Sequence, residues 1–331
     1  MSPLSHIAVL GAGAWGTALA LAAHRAGRKT TLWVREDDVL ACLKAGMENR
    51  FLPGVKFPAD LAVTGDLKEA CQAEALLLVV PAQVLHAFAE ALRPHLKTGQ
   101  PVVICAKGIE KNSGKLVTEV AAEALPDAAL AILSGPSFAR DVAIGLPTAV
   151  TIAAQNSLVE RLQAGLGSAT FRPYASDDLA GVALGGAAKN VYAIGCGVAD
   201  GLCLGESARA ALLARSFAEL TRLGEAVGGR AETFVGLSGL GDLVLSATSP
   251  SSRNFAFGQK LGQGQTLPDL LAPGMPLVEG AATARPLLAR AQKHGVEMPI
   301  ATTILAVLDG VMPPAAALDQ LMNRPLGPER K

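Results

Sequence analysis

A glycine-rich turn directly after a short apolar segment is the feature that most constrains the fold of this chain. The apolar residues 7–10 precede Gly11, Gly13 and Gly16, and an alanine-rich helical pattern continues over residues 17–26. In such an arrangement the first glycine allows a tight turn, the second lets a pyrophosphate approach the backbone, and the third lets the helix pack on the strand. The start of the helix also favours the negative charge of phosphate groups. The turn therefore predicts a dinucleotide-binding cradle.

The length and charge of the chain limit the classes of protein to which it can belong. With 331 residues, 50% of them apolar, it exceeds the usual size of one domain and can bury a large core. Lysine plus arginine and aspartate plus glutamate each number 29, so no general attraction to nucleic acid or to acidic membranes is expected. Any cationic chemistry must therefore be local.

Strand-like and helical patterns alternate through the first half of the chain. Strand patterns fall at residues 7–10, 30–34, 75–80, 102–106, 129–133 and 148–152, a helical pattern falls at 158–166, and residues 170–174 suit an edge strand. The alternation predicts an α/β fold, with a Rossmann-like, doubly wound parallel sheet in a domain of residues 1–180. Helical patterns at 207–223, 281–294 and 301–308 predict an all-helical second domain of residues 181–331.

One long apolar segment, residues 179–199, has two interpretations. It is long enough to span a membrane and carries a single charge, Lys189. The central position of that charge and the repeated glycines around it are more typical of a tightly packed buried helix with a functional cation. We therefore expect a core helix and no integral membrane association.

The cysteines and histidines give no sign of a disulfide framework or a metal site. Cys42, Cys71, Cys105, Cys196 and Cys203 are odd in number and lack Cys-x-x-Cys spacing, and the histidines are scattered. The first strand pattern also begins too early to leave room for a cleavable signal. Reduced thiols and the lack of a signal predict a cytoplasmic protein without a bound metal.

Polar residues follow the strand patterns, at the edge of the sheet where doubly wound folds bind ligands. Arg35 follows the second strand, about 20 residues beyond the glycines, where a ribose-binding residue is expected. A guanidinium there favours the 2′-phosphate of NADP, whereas the adjacent Glu36 suits the free 2′-hydroxyl of NAD. Lys107 and residues 134–137 follow later strands. A nicotinamide dinucleotide and its substrate are therefore expected across these strand ends.

Lys189 is the strongest candidate for acid–base chemistry. It follows the small residues 185–188, which cannot cover its charge, and a buried lysine is costly unless it is paired or functional. Desolvation, and a second cation such as Lys107 nearby, lower a lysine pKa from about 10.4 towards the range useful for proton transfer. Such an ammonium can protonate a carbonyl oxygen as hydride reaches the carbon. The alternative is a lysine that reaches solvent or pairs with Asp242 for stability.

Two further segments carry polar groups suited to a phosphorylated substrate. Asp242 lies between a glycine and an apolar run, where its carboxylate can orient a lysine or a substrate hydroxyl. Ser252, Arg253 and Asn254 offer a hydroxyl, a guanidinium and an amide in succession. Because arginine binds phosphate through two parallel hydrogen bonds, this triplet predicts a phosphate site.

Nearly the whole chain resembles the bacterial-type NAD(P)-dependent glycerol-3-phosphate dehydrogenases. The resemblance is carried by GAGAWGTALA (11–20), NRFLPG (49–54), CAKGIE (105–110), SGPSFA (134–139), LGGAAKNVYAIGCGVADGL (184–202), GLGDL (239–243), SRN (252–254) and VEG (278–280). It implies a Rossmann-like first domain and a helical second domain. The implied activity is the reversible reduction of dihydroxyacetone phosphate to sn-glycerol 3-phosphate by NADPH or NADH, which supplies glycerophospholipid synthesis.

The resemblance also implies roles for individual residues, with Lys189 as proton donor and acceptor. The positions that match contacts of the triose phosphate are Lys107, Gly135, Ser137, Lys189, Asp242, Ser252, Arg253 and Asn254. With the cradle glycines Gly11, Gly13 and Gly16, the positions that match contacts of the nucleotide are Ala14, Trp15, Arg35, Lys107, Ala139, Arg253, Leu277 and Glu279. A homodimer is a further expectation, and no metal takes part.

Two other functions stay open on the sequence alone. Another two-domain dehydrogenase, of the 6-phosphogluconate or 2-hydroxyacid type, has the same cradle and a lysine at the domain junction. A nucleotide-sensing regulator can keep the cradle without catalysis. These residues do not decide the NADP to NAD preference, feedback regulation, the oligomeric state, interdomain closure or the direction in vivo.

Overall fold

The structure, a computed structural model, describes residues 4–155 and 157–323. Within these residues, one eight-stranded sheet has the strand order β3-β2-β1-β4-β5-β6-β7-β8. The strands are β1 (His6–Leu10), β2 (Lys29–Trp33), β3 (Ala62–Thr64), β4 (Ala75–Leu78), β5 (Pro101–Ile104), β6 (Ala129–Ser134), β7 (Thr148–Ala154) and β8 (Phe171–Ser176). Each neighbouring pair is parallel from β3 through β2, β1, β4 and β5 to β6. This is the Rossmann arrangement.

Helices flank the sheet and predominate in the described chain after β8. Those between strands are α1 (Ala14–Arg25), α2 (Asp37–Lys44), α3 (Leu67–Ala70), α4 (Leu85–Leu92), α5 (Val117–Ala124), α6 (Ala139–Ile144) and α7 (Leu158–Leu166). Those after β8 are α8 (Leu179–Gly201), α9 (Gly205–Ala226), α10 (Ala231–Val235), α11 (Asp242–Thr248), α12 (Arg253–Gly262), α13 (Leu267–Leu270), α14 (Glu279–Lys293), α15 (Pro299–Leu308) and α16 (Pro314–Met322). Short 3₁₀ turns occupy Ala82–Val84 and Arg93–His95, and a π-helical turn, Leu237–Gly241, leads into α11.

The predicted α/β fold followed by a helical region is confirmed, with two differences in the sheet. The edge strand expected at residues 170–174 is β8, but the three-residue β3 was not predicted. Strand β7 runs antiparallel to β6, and β8 is parallel to β7, so the sheet is mostly rather than wholly parallel. An apolar run has the same pattern in either direction, which is why periodicity did not reveal the reversal.

Both faces of the sheet are buried, because strand side chains alternate between two apolar clusters. Ile7 and Val9 contribute to one cluster with residues of α1 and α7, while Ala8 and Leu10 contribute to the other. This second cluster includes residues of α4 and α5 and continues through α8 into the C-terminal helices. Continuous burial on both faces is expected of parallel strands covered by helices. The helical region therefore shares a core with one face of the sheet.

Helix α8 is the centre of the helical region. Asp178 caps its start by accepting a hydrogen bond from the Gly181 N–H at 2.8 Å. In the described part of the chain, α8 is the one helix long and apolar enough to cross a membrane, but 89% of its most apolar window is buried inside the fold. The prediction of a core helix is confirmed.

Helices α8 and α12 touch backbone to backbone. A Cβ on Gly258 would lie 2.0 Å from the Ile194 carbonyl oxygen, and a Cβ on Gly197 would lie 2.1 Å from the Phe255 carbonyl oxygen. Real side chains never come that close, so glycine is required on both helices for this approach. The contact fixes α12 directly against the helix that carries Lys189.

Candidate active site

The predicted glycine turn links β1 to α1 at the carboxyl edge of the sheet. Gly11 has a φ of +118°, and a Cβ on it would lie 2.4 Å from the Val79 carbonyl oxygen. A Cβ on Gly16 would lie 1.8 Å from the Gly11 carbonyl oxygen, whereas one on Gly13 would meet no atom within 4 Å. The first and third glycines are therefore required by the fold, and the space beside Gly13 is open. This open cradle fits the close approach of a pyrophosphate.

The start of α1 offers donors to such a ligand. No side chain caps this helix, because its N-cap residue is Gly13. The backbone N–H groups of a first turn and the helix dipole favour an anion. Next to the turn, Trp15 Nε1 is buried without a hydrogen-bond partner among the described residues. A buried donor of this kind needs a partner, which a bound ligand can provide.

The residues predicted to contact the rest of the cofactor differ in their exposure and in their partners. The Arg35 side chain is 75% exposed, and its Nη2 donates to Glu36 Oε1 at 2.6 Å. The two residues expected to choose between NADP and NAD are therefore paired with each other. Ala139 begins α6, which packs against α1 beside the cradle. Leu277 is 46% exposed in the segment just before α14.

Two lysines and one aspartate meet where the sheet edge contacts the helical region. Lys107 Nζ donates to Asp242 Oδ2 at 2.6 Å and to the Gly135 carbonyl oxygen at 3.1 Å. Lys189 Nζ donates to Asp242 Oδ1, and to Ser246 Oγ at 2.8 Å. The side chains of Asp242 and Lys189 are only 1% and 9% exposed. One buried carboxylate thus holds both ammonium groups.

These three charges control one another's protonation. Burial lowers the pKa of Lys189, repulsion from Lys107 lowers it further, and attraction by Asp242 partly restores it, so the pKa falls to about 8. Burial opposes ionisation of Asp242, but the two ammonium groups outweigh it and hold the pKa of the carboxyl below its ordinary value. Lys189 can therefore exchange a proton near neutral pH while Asp242 stays ionised.

Ser246 belongs to this cluster although the sequence analysis did not single it out. It lies one turn after Asp242 on α11, where its Oγ is 3.4 Å from Asp242 Oδ1 and accepts the hydrogen bond from Lys189. The i, i+4 spacing from Asp242 was the available signal. A serine in a short helical segment equally suits a surface position, so the spacing alone did not distinguish the two.

The triplet predicted to bind phosphate begins α12. Ser252 is the N-cap, and its Oγ accepts a backbone N–H of the first turn at 3.4 Å. Arg253 is exposed, so its guanidinium can meet an anion from solvent. Asn254 is buried: its Nδ2 donates to Asn190 Oδ1 at 2.9 Å, and its Oδ1 accepts from the Gly280 N–H at 2.9 Å. This amide therefore ties α12 to α8 and α14.

The loop after β6 and the start of α14 lie around the same cluster. Gly135 has a φ of +141°, and its carbonyl oxygen accepts from Ser137 Oγ at 3.0 Å. Burial raises the pKa of Glu279 to about 7, although the positive charge of Arg253 acts to lower this pKa. A Cβ on Gly108 would lie 3.3 Å from Glu279 Oε2, so this carboxyl lies beside the end of β5. The loops after β5 and β6 and the four helices α8, α11, α12 and α14 thus converge on one place.

The fold and site together define the class of dinucleotide-dependent dehydrogenases. The glycine cradle opens at the same sheet edge as the cluster of Lys107, Lys189 and Asp242. Within residues 4–155 and 157–323, no group of three or more His, Cys, Asp or Glu side chains is placed to hold a metal ion.

Comparisons with known proteins narrow this class to one family. The model of the NAD-dependent glycerol-3-phosphate dehydrogenase N-terminus matches residues 6–159, and that of the C-terminus matches residues 178–319. Relatives named glycerol-3-phosphate dehydrogenase [NAD(P)+] include one from Parvibaculum lavamentivorans, 51% identical over 98% of each chain. Another, from Rhodospirillum rubrum, is 53% identical over 98% of this chain and 93% of its own.

A solved structure supports the same assignment. The glycerol-3-phosphate dehydrogenase of Coxiella burnetii superimposes with a TM-score of 0.91 at 40% identity, over 97% of this chain and 99% of its own. The chain belongs to the NAD-dependent glycerol-3-phosphate dehydrogenase family.

Proposed function

We propose that the chain catalyses the reversible reduction of dihydroxyacetone phosphate to sn-glycerol 3-phosphate, with NADPH or NADH as the reductant. The observation that carries the proposal is the buried cluster in which Asp242 binds both Lys107 and Lys189, beside the exposed guanidinium of Arg253. A ketone oxygen needs a proton donor, and a phosphate needs a fixed cation. The relatives named above carry the name of this activity.

Lys189 is the proposed proton donor and acceptor. The bound reduced nicotinamide supplies a hydride to the ketone carbon. Lys189 gives a proton to the ketone oxygen in the direction of reduction, so that the carbonyl becomes a secondary alcohol. In the reverse direction neutral Lys189 removes the proton of that alcohol. With a pKa of about 8, both forms of the lysine are accessible near neutral pH.

The other residues of the cluster are proposed to bind and orient the substrate. Arg253 and Asn254 hold the phosphate, because one offers an exposed guanidinium and the other an amide fixed by two hydrogen bonds. Asp242 keeps Lys189 in place and stabilises its charged form. The full proposed substrate set is Lys107, Gly135, Ser137, Lys189, Asp242, Ser252, Arg253 and Asn254.

The cofactor is proposed to lie from the glycine cradle to the lysine cluster. The open space beside Gly13 and the unpartnered Trp15 Nε1 support this placement. The full proposed cofactor set is Gly11, Gly13, Ala14, Trp15, Gly16, Arg35, Lys107, Ala139, Arg253, Leu277 and Glu279.

Several wider expectations also belong to this proposal. A division into domains of residues 1–180 and 181–331 is supported by β8 ending at Ser176 and α8 beginning at Leu179, although residues 324–331 lie outside the described part. A cytoplasmic location agrees with the five free thiols. The product's use in glycerophospholipid synthesis and a homodimeric state stay predictions.

A coupled kinetic comparison tests the function. The purified chain is mixed with NADPH or NADH and dihydroxyacetone phosphate, and loss of absorbance of the reduced nicotinamide is followed. Substrate-dependent oxidation, with sn-glycerol 3-phosphate as the product, is expected. Oxidation by 2-keto acids in place of dihydroxyacetone phosphate would instead support a 2-hydroxyacid dehydrogenase, and saturable NADPH binding without turnover would support a nucleotide sensor.

A further inference from the structure

The NRFLPG segment at residues 49–54 has no role in the function proposed above, yet its first residue touches the glycine cradle. Asn49 lies in the irregular segment between α2 and β3 and is only 2% exposed. Its Nδ2 donates to the Ala12 carbonyl oxygen at 2.8 Å and to Thr17 Oγ1 at 2.8 Å. Ala12 lies between the first two glycines of the cradle, so a side chain 37 positions away grips the turn itself.

Thr17, on α1, also binds the carbonyl oxygen of Ala12. Its Oγ1 donates to the same Ala12 carbonyl oxygen at 3.3 Å, and it is 2% exposed. The carbonyl is thus held by two buried donors, which point it into the protein. Because a trans peptide is planar, the Gly13 N–H of the same peptide points in the opposite direction. The space beside Gly13 is open, because a Cβ on this residue would meet no atom within 4 Å.

Asn49 is itself fixed independently of any ligand. Its Oδ1 accepts from the Phe51 N–H at 2.9 Å, so the carboxamide cannot turn over without losing a bond. Leu52 is buried with the cluster that contains α1. Arg140 Nη1 donates to the Pro53 carbonyl oxygen at 3.0 Å and ties the segment to α6. The hydrogen bonds between Asn49 and the glycine turn are therefore part of the fold without a bound dinucleotide.

We propose that Asn49, acting through Ala12 and Thr17, is a positioning residue for the dinucleotide: it orients the Ala12–Gly13 peptide so that the Gly13 N–H faces the pyrophosphate. The inference rests on the proposed use of NADPH or NADH. Since the pyrophosphate is common to both cofactors, the contribution of Asn49 is the same for the two. It concerns cofactor affinity rather than the proton transfer at Lys189.

Gln100 provides a matched control. It is 5% exposed, and its Nε2 donates to the carbonyl oxygens of Cys71 and Ala73 at 3.0 and 2.7 Å. Its Oε1 accepts from the Lys97 N–H at 3.0 Å. Gln100 thus makes the same kind of bridge as Asn49, but just before β5, at the edge of the sheet opposite the cradle.

The test compares Asn49→Asp, Thr17→Val and Gln100→Glu with the wild type. Each change keeps the shape of its side chain and removes the buried donor or hydroxyl. Thermal unfolding gives the stability loss, and titration of the cofactor's fluorescence below the melting temperature gives the Kd for NADPH and NADH. If Asn49→Asp does not fold, Thr17→Val still removes a hydrogen bond to the Ala12 carbonyl oxygen. Thr17→Ser keeps the hydroxyl and should have the wild-type Kd.

We expect Asn49→Asp and Thr17→Val to raise both Kd values about tenfold, the effect of weakening roughly one hydrogen bond. The ratio of the two Kd values and kcat at saturating cofactor should stay unchanged, and Gln100→Glu should lose stability without a change in Kd. Wild-type Kd values in both cradle variants overturn the inference alone. A wild-type chain that binds neither cofactor overturns the proposed function as well.

Discussion

Lys107 and Asp242 form a 2.6 Å ion pair that joins the end of the sheet to the helical region. Lys107 follows β5, and Asp242 begins α11, 135 positions later in the chain. The same carboxylate binds Lys189, so the environment of the proposed proton donor depends on groups from both regions.

Lys189→Ala removes the proposed proton donor. The kcat for reduction of dihydroxyacetone phosphate should fall by about 100-fold or more, because general acid catalysis typically contributes that much. Steady-state kinetics at saturating NADPH measures the effect. Lys260→Ala, a change of an exposed lysine at the end of α12, is the control and should leave kcat unchanged. Near-normal kcat in Lys189→Ala would contradict the assignment.

The two directions of the reaction should depend on pH in opposite ways. Reduction needs the Lys189 ammonium, so its kcat should fall as the pH rises through about 8, while oxidation of glycerol 3-phosphate should rise through the same pH. In Asp242→Asn the attraction that raises the pKa of Lys189 is lost, and the midpoint should move to lower pH. Profiles that superimpose for the two proteins would exclude Lys189 as the titrating group.

Arg253→Ala should damage turnover as well as affinity. Binding energy from the phosphate, remote from the reacting carbon, holds the ketone in position for reaction. We expect kcat/KM for dihydroxyacetone phosphate to fall about 100-fold, as the loss of a bidentate charged pair implies. Arg253→Lys keeps the charge without the planar fork and should be intermediate. A change in KM alone would limit Arg253 to ground-state binding.

The Arg35–Glu36 pair should set the cofactor preference. Arg35→Ala is expected to weaken NADPH binding about tenfold with little effect on NADH, because only NADPH carries the 2′-phosphate. Glu36→Gln removes the carboxylate that accepts from Arg35 at 2.6 Å, and should shift the preference in the opposite direction, towards NADPH. The ratio of the two kcat/KM values reports both effects. An equal loss for both cofactors would argue against a 2′-phosphate contact.

Glu219 should make the stability of the fold depend on pH. It is 2% exposed, accepts from the Ile300 N–H at 2.7 Å and the Ala301 N–H at 3.2 Å, and burial raises its pKa from 4.5 to about 7. A carboxyl whose pKa is raised on folding contributes stability below its unfolded pKa, and this is lost as the pH rises through the folded pKa.

Glu219→Gln should remove that dependence. Between about pH 5 and 8 the wild type should lose up to about 3 kcal/mol of unfolding free energy relative to the variant. Urea unfolding at each pH measures the difference, and the variant serves as the control for every other titrating group. A constant difference across this range would show that Glu219 does not titrate in it.

The sequence predicted the fold well where local signals were strong. The glycines of the first turn, the apolar strands and the long apolar helix each have a distinctive pattern, and α7 has the predicted bounds. Strand β3, with three residues, is too short for periodicity to indicate. The antiparallel direction of β7 depends on how the chain returns to the sheet, which an apolar run does not encode.

The candidate site was predicted in part. Lys107, Lys189 and Asp242 were each singled out, and the structure brings them into contact. Residue type and local context did not show that one carboxylate serves both lysines, or that Ser246 joins them. The hydrogen bond from Asn49 to the glycine turn was also not predicted from the sequence, because it joins segments that are distant in the chain. Such relationships arise only from tertiary packing.

The contact between α8 and α12 fixes the separation of the two main chains that carry Lys189 and Arg253. Lys189 lies on one of these helices and Arg253 begins the other, and glycines at 197 and 258 leave no side chain between them. Because backbone meets backbone at this contact, the spacing of the two helices does not depend on the rotamer of any side chain between them. A larger residue at either glycine would force the helices apart, and the two proposed site residues would move with them.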